Sequence, residues 1–381
     1  VKRFWLYLTL ACLGWVISCA LETSRSSDRL LLRIEEDRYF LEHAAVAFDA
    51  DLAASLLSDS HEDERERTTS SFHLRLYSTE DGKALTEPLH LYTRKSPKHR
   101  HPAVPDGPFL TPDGSYAMVA CYFPQQEIRI YDVRARRFQE TNIPVPSVGS
   151  RGWSASPDGL VGYQTDAGFV IFDPRTASVV KQYQSPQDGL RVRGLTFDPP
   201  GRHLAVATSD GVWLVDPRGS EAPRTVFRGE ASQPVFLKNG KGLAFLHKGQ
   251  VWQLDVSSGK LVGKPFGNGY LALKASADGR LALASKYDLA DVLELPSGKL
   301  RCQRRRIANG SYGEGELLSA AGDKVLAGEN TSHHSHLVWD TRNGQQSFVL
   351  STGNYRPPVA LSPDGRLGVS CASDNISLWR L

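Results

Sequence analysis

Apolar and polar positions alternate along this chain in short bursts. Runs of four or five residues, such as Leu204-Ala205-Val206-Ala207 and Leu281-Ala282-Leu283-Ala284, are bounded by polar residues, Gly and Pro. Runs of that length between turn residues predict strands. They recur in a fixed order. A first run, as in Gly194-Leu195-Thr196-Phe197, is followed by a tight turn and a second run rich in Ala, Gly and Ser. After a short polar loop comes a third run, as in Val212-Trp213-Leu214-Val215 or Val251-Trp252-Gln253-Leu254. An Asp often closes it: Asp132, Asp173, Asp216, Asp255 and Asp340. Its carboxylate can accept from the free amides of the next turn. A Gly-containing turn and a final strand complete the unit, as in Ser257-Ser258-Gly259-Lys260-Leu261-Val262.

The first turn of each unit carries a recurring phrase. Thr111-Pro112-Asp113-Gly114, Ser156-Pro157-Asp158-Gly159, Ser276-Ala277-Asp278-Gly279 and Ser362-Pro363-Asp364-Gly365 are the clearest copies; looser ones end at Gly201, Gly240 and Gly322. Pro presets φ for the second turn position, and Gly supplies the left-handed residue that closes a hairpin with a bulge. From Gly114 to Gly365 the glycines stand 45, 42, 39, 39, 43 and 43 residues apart. Such a period predicts a repeat architecture, and four short strands per period predict an all-β propeller. An eighth unit without the Gly starts at Val46-Ala47-Phe48-Asp49-Ala50-Asp51. The last unit stops at its third strand, Ser377 to Leu381, and Leu30-Leu31-Leu32-Arg33-Ile34 can supply the fourth. That exchange ties the termini together and leaves neither end strand as an open edge. The expected fold is therefore eight four-stranded blades in one ring, or seven if the first unit is degenerate.

Trp339-Asp340, with its relatives Tyr131-Asp132 and Phe172-Asp173, resembles the signature of WD40-repeat β-propellers. The Ser-Pro-Asp-Gly turns are shared with that group and with related bacterial propellers of the TolB type. The resemblance covers residues 40–381 by repeat pattern. It implies a divergent, WD40-like bacterial propeller. The chain departs from the family in lacking a Gly-His dipeptide early in each unit, and position 296 is Pro where Asp is expected. The His-centred hydrogen-bond network of the family is not expected here.

Lys2-Arg3 precede an apolar stretch from Phe4 to Ile17, a charged start and hydrophobic core of secretory length. That stretch is short for a spanning helix. Val16-Ile17-Ser18-Cys19 resembles the bacterial lipobox, which implies a lipid on Cys19. The expected organisation is a signal peptide over 1–18, a polar tether over 19–29 and the propeller over 30–381. The expected location is the periplasmic or extracellular side of a membrane, held by acyl chains. The formal charge of +3 includes Lys2 and Arg3, so the remainder is near neutral and nucleic acid is not an expected partner. Of five Cys, Cys121, Cys302 and Cys371 remain outside that segment, with no pairing or zinc spacing, and predict small buried fillers.

In propellers the loops after the second and fourth strands share one face, and here they are the irregular ones. They hold Ser58 to Ser71 with Glu62 and Glu64, Arg94 to His101 with Arg94, Lys98 and Arg100, and Thr331 to His336 with His334 and His336. These residues form the candidate binding face. Three His within four residues are not a metal site without supporting ligands, and no metal or cofactor is expected. No nucleophile elbow, Walker loop, zincin motif or dinucleotide fingerprint is present, and no catalytic residue is assigned. The reading is a non-enzymatic, monomeric interaction scaffold for a protein or cell-envelope component. The alternatives are a propeller enzyme (hydrolase, lyase or quinone-dependent oxidoreductase) with a channel-mouth site, and an envelope assembly or transport component.

Overall fold

In the computed structural model, the apolar runs are strands and each recurring glycine turn joins two of them. The structure describes residues 30–35, 39–62, 67–97, 104–122, 126–141, 143–145, 152–165, 168–184, 191–237, 240–276, 278–286, 289–305, 316–319, 321–329, 335–351, 360–362, 364–372 and 375–381. The strands form eight antiparallel sheets, the blades of a β-propeller, with consecutive strands neighbouring in space. Blade 1 begins with Phe40–Ala47, and blades 2 to 8 begin with Asp106–Leu110, Gly152–Ala155, Val192–Phe197, Ser232–Leu237, Ala272–Ala275, Glu316–Leu318 and Ala360–Leu361.

Closure is made as expected. Leu30–Glu35 pairs with Asn375–Arg380 and becomes the fourth strand of blade 8, with Leu30 opposite Trp379 and Glu35 opposite Asn375. Eight hydrophobic clusters fill the eight seams between neighbouring blades. Leu56, Leu74 and Leu76 of blade 1 meet Leu110, Ala117 and Val119 of blade 2. The closing seam joins Leu41, Ala53 and Leu57 of blade 1 to Val369, Cys371 and Ile376 of blade 8. Second strands such as Leu204–Thr208 and Leu281–Ser285 are buried at every position. Their alternate Ala residues let adjacent sheets approach closely, and burying each large neighbour contributes ~1.5–3 kcal/mol.

The recurring turn is built as one device. The Gly amide donates to the carbonyl three residues back, as from Gly114 to Thr111 (2.8 Å), Gly279 to Ser276 (2.8 Å) and Gly365 to Ser362 (2.9 Å). The buried hydroxyl that opens the turn works in two directions. Ser276 Oγ accepts the Leu281 amide (3.0 Å) and donates to Asp278 (2.7 Å); Ser362 does the same with Leu367 (2.8 Å) and Asp364 (2.7 Å). In blade 4 Asp198 takes the place of Ser and accepts the His203 amide at 2.9 Å. Neighbouring turns also nest. A Cβ on Gly322 would lie 3.1 Å from Ser276 Cβ, and one on Gly365 would lie 3.2 Å from Ser319 Cβ, each in the preceding blade. A Cβ on Gly114 would overlap that of Ala50 in the turn of blade 1. The Asp residues after the third strands cap the next turn, as Asp132 accepts from Ala135 (2.7 Å) and Asp216 from Gly219 (2.8 Å).

Three expectations are corrected. Residues 257–262 do not form the fourth strand of blade 5. That sheet has three strands, and its outer edge meets only isolated bridges, Leu254 with Leu261 and Val251 with Phe266. Gly263 and Gly267, at φ of 69° and 73°, flank Pro265 and break the ladder. The position equivalent to Asp255 in blade 6 is Glu294 rather than Pro296, because Gly298 donates to the Glu294 carbonyl as Gly259 does to that of Asp255 (both 2.8 Å). In blade 1, much of the stretch expected as irregular loops is strand. Leu52–Glu62, Arg67–Ser78 and Leu89–Pro97 stay in register beyond the end of the first strand. Their polar side chains pair across strands, Ser60 with Ser70 (2.8 Å) and Ser71 with Thr93 (2.9 Å), so hydroxyls take the place that apolar contacts hold lower down.

Candidate interaction face

Strand direction assigns each connection to a side of the disc. First-to-second and third-to-fourth turns lie on one side, and connections after second and fourth strands lie on the other. The blade 1 extension rises on the second side. Glu62 closes its second strand opposite Thr68, and Arg94 sits half-buried on its fourth strand opposite Ser70. Both are thus on strands, not loops, and the structure brings them onto one element. His336 lies two blades away, on the third strand of blade 7, opposite Gly328 and Leu350. Cys19, Glu64, Lys98, Arg100 and His334 lie outside the described residues.

Polar groups that sequence reading missed line the same side. The connection from blade 4 to blade 5 is held from both neighbours. Gly229 donates to the Asp210 carbonyl (2.8 Å), Ala231 to that of Thr208 (2.9 Å), and His247 Nδ1 to that of Glu230 (2.6 Å). The Glu230 carboxylate meets Arg193 Nη1 at 2.5 Å. Arg193 stands at a bulge in the innermost strand of blade 4, between Val192 and Gly194, and Gln233 stands at a similar bulge in blade 5. The two bulges interlock. A Cβ on Gly194 would lie 2.7 Å from Pro234 Cδ, and Gln233 is held at φ 51°. Bulges re-aim side chains at strand ends. The available signal was Gly194, an isolated glycine inside a strand pattern.

Blade 6 holds a buried carboxylate. Asp291 Oδ2 accepts from the Tyr270 hydroxyl (2.6 Å), Oδ1 accepts from Gln303 Nε2 (2.7 Å), and Lys286 Nζ lies 3.6 Å away. Burial and then the adjacent carboxylate push the Tyr270 hydroxyl well above the usual range, so it stays a donor. The network fixes the connection entering blade 6 to that blade. Asp291, Gln303 and Lys286 belong to blade 6 and Tyr270 to the connection that enters it, which suits an anchor. In the WD dipeptide of blade 7, Asp340 accepts from the Arg342 amide (2.8 Å) and guanidinium and lies 3.5 Å from Lys324 Nζ, while the Trp339 indole N–H is buried with no acceptor among the described residues. In blade 8 the matching Trp379 donates to Ser370 Oγ at 2.8 Å. Relative to the strand pairing, the position of Ser370 is Ala327 in blade 7, which offers no acceptor.

At the closing seam, His73 packs between Tyr39 and His90, with ring centroids 5.3 and 5.4 Å away. Burial and then His90 lower its pKa, while Asp59 raises it. Cys121, Cys302 and Cys371 are buried, and burial pushes the Cys121 thiol up to about 12. Among the described residues, no group of three or more His, Cys, Asp or Glu side chains is placed to hold a metal.

Neither a protein-family model nor a curated protein sequence matches the chain. Solved structures do. The β-propeller domain of Cps50 (Swd1) from Myceliophteria thermophila is 15% identical, covering 72% of this chain and 96% of that one, with a TM-score of 0.57. The fold is a WD40-like β-propeller. A chain of the mitotic checkpoint complex is 13% identical over 93% of this chain and 92% of its own, with a TM-score of 0.50. The dihydro-heme d1 dehydrogenase NirN, in complex with DHE, is 16% identical over 88% of this chain and 73% of its own, with a TM-score of 0.57. At these identities the likeness is one of fold.

Proposed function

We propose that this propeller is a non-enzymatic scaffold that holds a protein or cell-envelope component on its loop-bearing face, anchored to a membrane through a lipid on Cys19. The observation that carries the reading is the contrast between the faces. One is closed by repeated, nested turns, and the other bears the blade 1 extension and pinned, outward-facing polar groups. By their names, the checkpoint-complex chain belongs to a multiprotein assembly and NirN is an enzyme. An enzyme reading needs titratable groups from three or more blades in one place. The described clusters come from single blades or adjacent pairs, as with Asp291 and Arg193.

The direction of the chain supports the anchored arrangement. Leu30 pairs with Trp379 at the turn-side end of blade 8, where Leu381 donates to the Arg366 carbonyl (2.6 Å). The closing strand begins on the turn side, so an anchor placed before Leu30 would join the disc on the side opposite the loop-bearing face. The test is capture from detergent-solubilised membranes with the full chain, comparing wild type with Arg94→Glu. A partner lost from the variant supports the scaffold; a partner set unchanged by Arg94→Glu, Lys98→Glu and Arg100→Glu together refutes the assignment of this face. Loss of radiolabelled palmitate incorporation on Cys19→Ala tests the anchor.

A further inference from the structure

We infer that the blade 4 to blade 5 sector of the loop-bearing face is a docking patch for an acidic, carboxylate-rich segment of a partner protein. The inference rests on the scaffold reading and narrows it to a sector and a chemistry. The sector is contiguous through its own hydrogen bonds. Arg191 donates its amide to Ser209 Oγ (3.0 Å) and accepts from the Ser209 amide (2.9 Å); Asp210 holds Gly229; Glu230 is held by His247, which precedes Lys248. The backbone of each connection is therefore fixed before any partner arrives, which lowers the ordering cost of binding.

The charges on this fixed frame are unequal in availability. Both acids are engaged within the sector: Asp210 Oδ1 accepts from Thr208 Oγ1 (2.5 Å), and Glu230 is paired with Arg193. Arg191, Arg228 and Lys248 are exposed and have no carboxylate partner among the described residues. Arg228 ends the fourth strand of blade 4, opposite Gly211, directly before the pinned Gly229. Three cations with no ion-pair partner among the described residues thus surround a loop in which Glu230 is matched by Arg193 and Asp210 keeps its charge, so the four cations outnumber the two acids of the sector. The fourth, Arg193, is available because an exposed pair with Glu230 contributes little and can exchange for a partner carboxylate. Arginines on a rigid frame offer planar, two-pronged donors suited to carboxylates. Nearby Trp252 and Phe227, with ring centroids 5.7 Å apart, supply apolar walls below them.

The test uses the full chain and a fluorescent peptide of ten alternating Glu and Asp residues, with a deca-lysine peptide as control. Binding is read by anisotropy at low and physiological salt. The acidic peptide should bind, weaken with salt, and lose at least tenfold in affinity in the variant Arg191→Glu, Arg228→Glu, Lys248→Glu. Among the described residues those side chains make no ion pair, and circular dichroism checks the fold. The matching turn-side variant, Arg202→Glu, Arg280→Glu, Arg366→Glu, should stay within twofold of wild type. Absence of acidic-peptide binding, or equal loss in both variants, overturns the inference. If a membrane partner is then still lost on Arg94→Glu, the scaffold stands without this patch. If that partner is indifferent as well, the scaffold reading falls too.

Discussion

The two sides of the disc are built from the same strands and solve different problems. On the turn side one device recurs: a buried Ser or Thr, or Asp198 in blade 4, opens the turn, and in blades such as 2, 7 and 8 its Gly nests on the previous blade. On the other side the first strands of blades 1, 2, 4 and 5 share a bulge, but the connections are each built differently. Blade 1 extends its strands with paired hydroxyls, blade 4 pins a connection through His247 and Arg193, and blade 6 buries Asp291. The difference teaches that the ring is specified on one side and varied on the other. Repetition marks what every seam needs, and individuality marks what a particular partner or loop needs.

The largest effect should separate the two sides by glycine. Gly114 has φ 67° and a Cβ there would overlap Ala50, so Gly114→Ala should cost about 3 kcal/mol from strain plus overpacking. Gly269, on the loop side, has φ 72° but nothing within 4 Å, so Gly269→Ala should cost only about 1 kcal/mol. Urea denaturation of both variants measures the gap, and equal losses would break the comparison. Next in size is the loop-side anchor. Tyr270→Phe removes a donor from a buried carboxylate and should cost about 2 kcal/mol, with faster amide exchange in residues 269–272 than in the turns. Ser276→Ala leaves the Leu281 amide without its side-chain acceptor and should cost about 1 kcal/mol, seen as a small shift in the denaturation midpoint.

The smallest predicted effect is a pH dependence at the closing seam. The folded protein keeps His73 neutral to lower pH than the unfolded chain does, because burial and His90 lower its pKa below 6.5 against the opposing pull of Asp59. In that window the unfolded chain binds more protons, so this histidine favours unfolding as pH falls through about 6.5. Thermal melts from pH 8 to pH 5 should lose stability more gently in His73→Gln than in wild type. An identical slope in both would remove His73 from the seam's response.

The sequence carried the fold because its signals are local. Gly279 and Gly365 need left-handed backbone, and Asp132 and Asp216 cap turns within three residues of themselves. Such devices announce themselves without tertiary knowledge. The fourth strand of blade 5 failed because Gly259-Lys260-Leu261-Val262 reads as turn and strand, while Gly263, Pro265 and Gly267 just beyond it prevent a ladder. The extension of blade 1 was hidden because Ser60, Ser70, Ser71 and Thr93 look like loop composition until they are paired. The blade 4 to blade 5 sector was invisible for another reason: Arg193 and Glu230 are far apart in sequence, and only the ring brings their blades together.

The strand borrowed from the start of the chain has a mechanical consequence. Leu30–Glu35 lies antiparallel to Asn375–Arg380, and the chain enters it from the turn side. A pull on residue 30 directed away from that side runs along the strand axis. It loads the register from Leu30 to Glu35 together, in shear, instead of opening one pair after another. The strand that closes the ring is thus also oriented to hold it under tension.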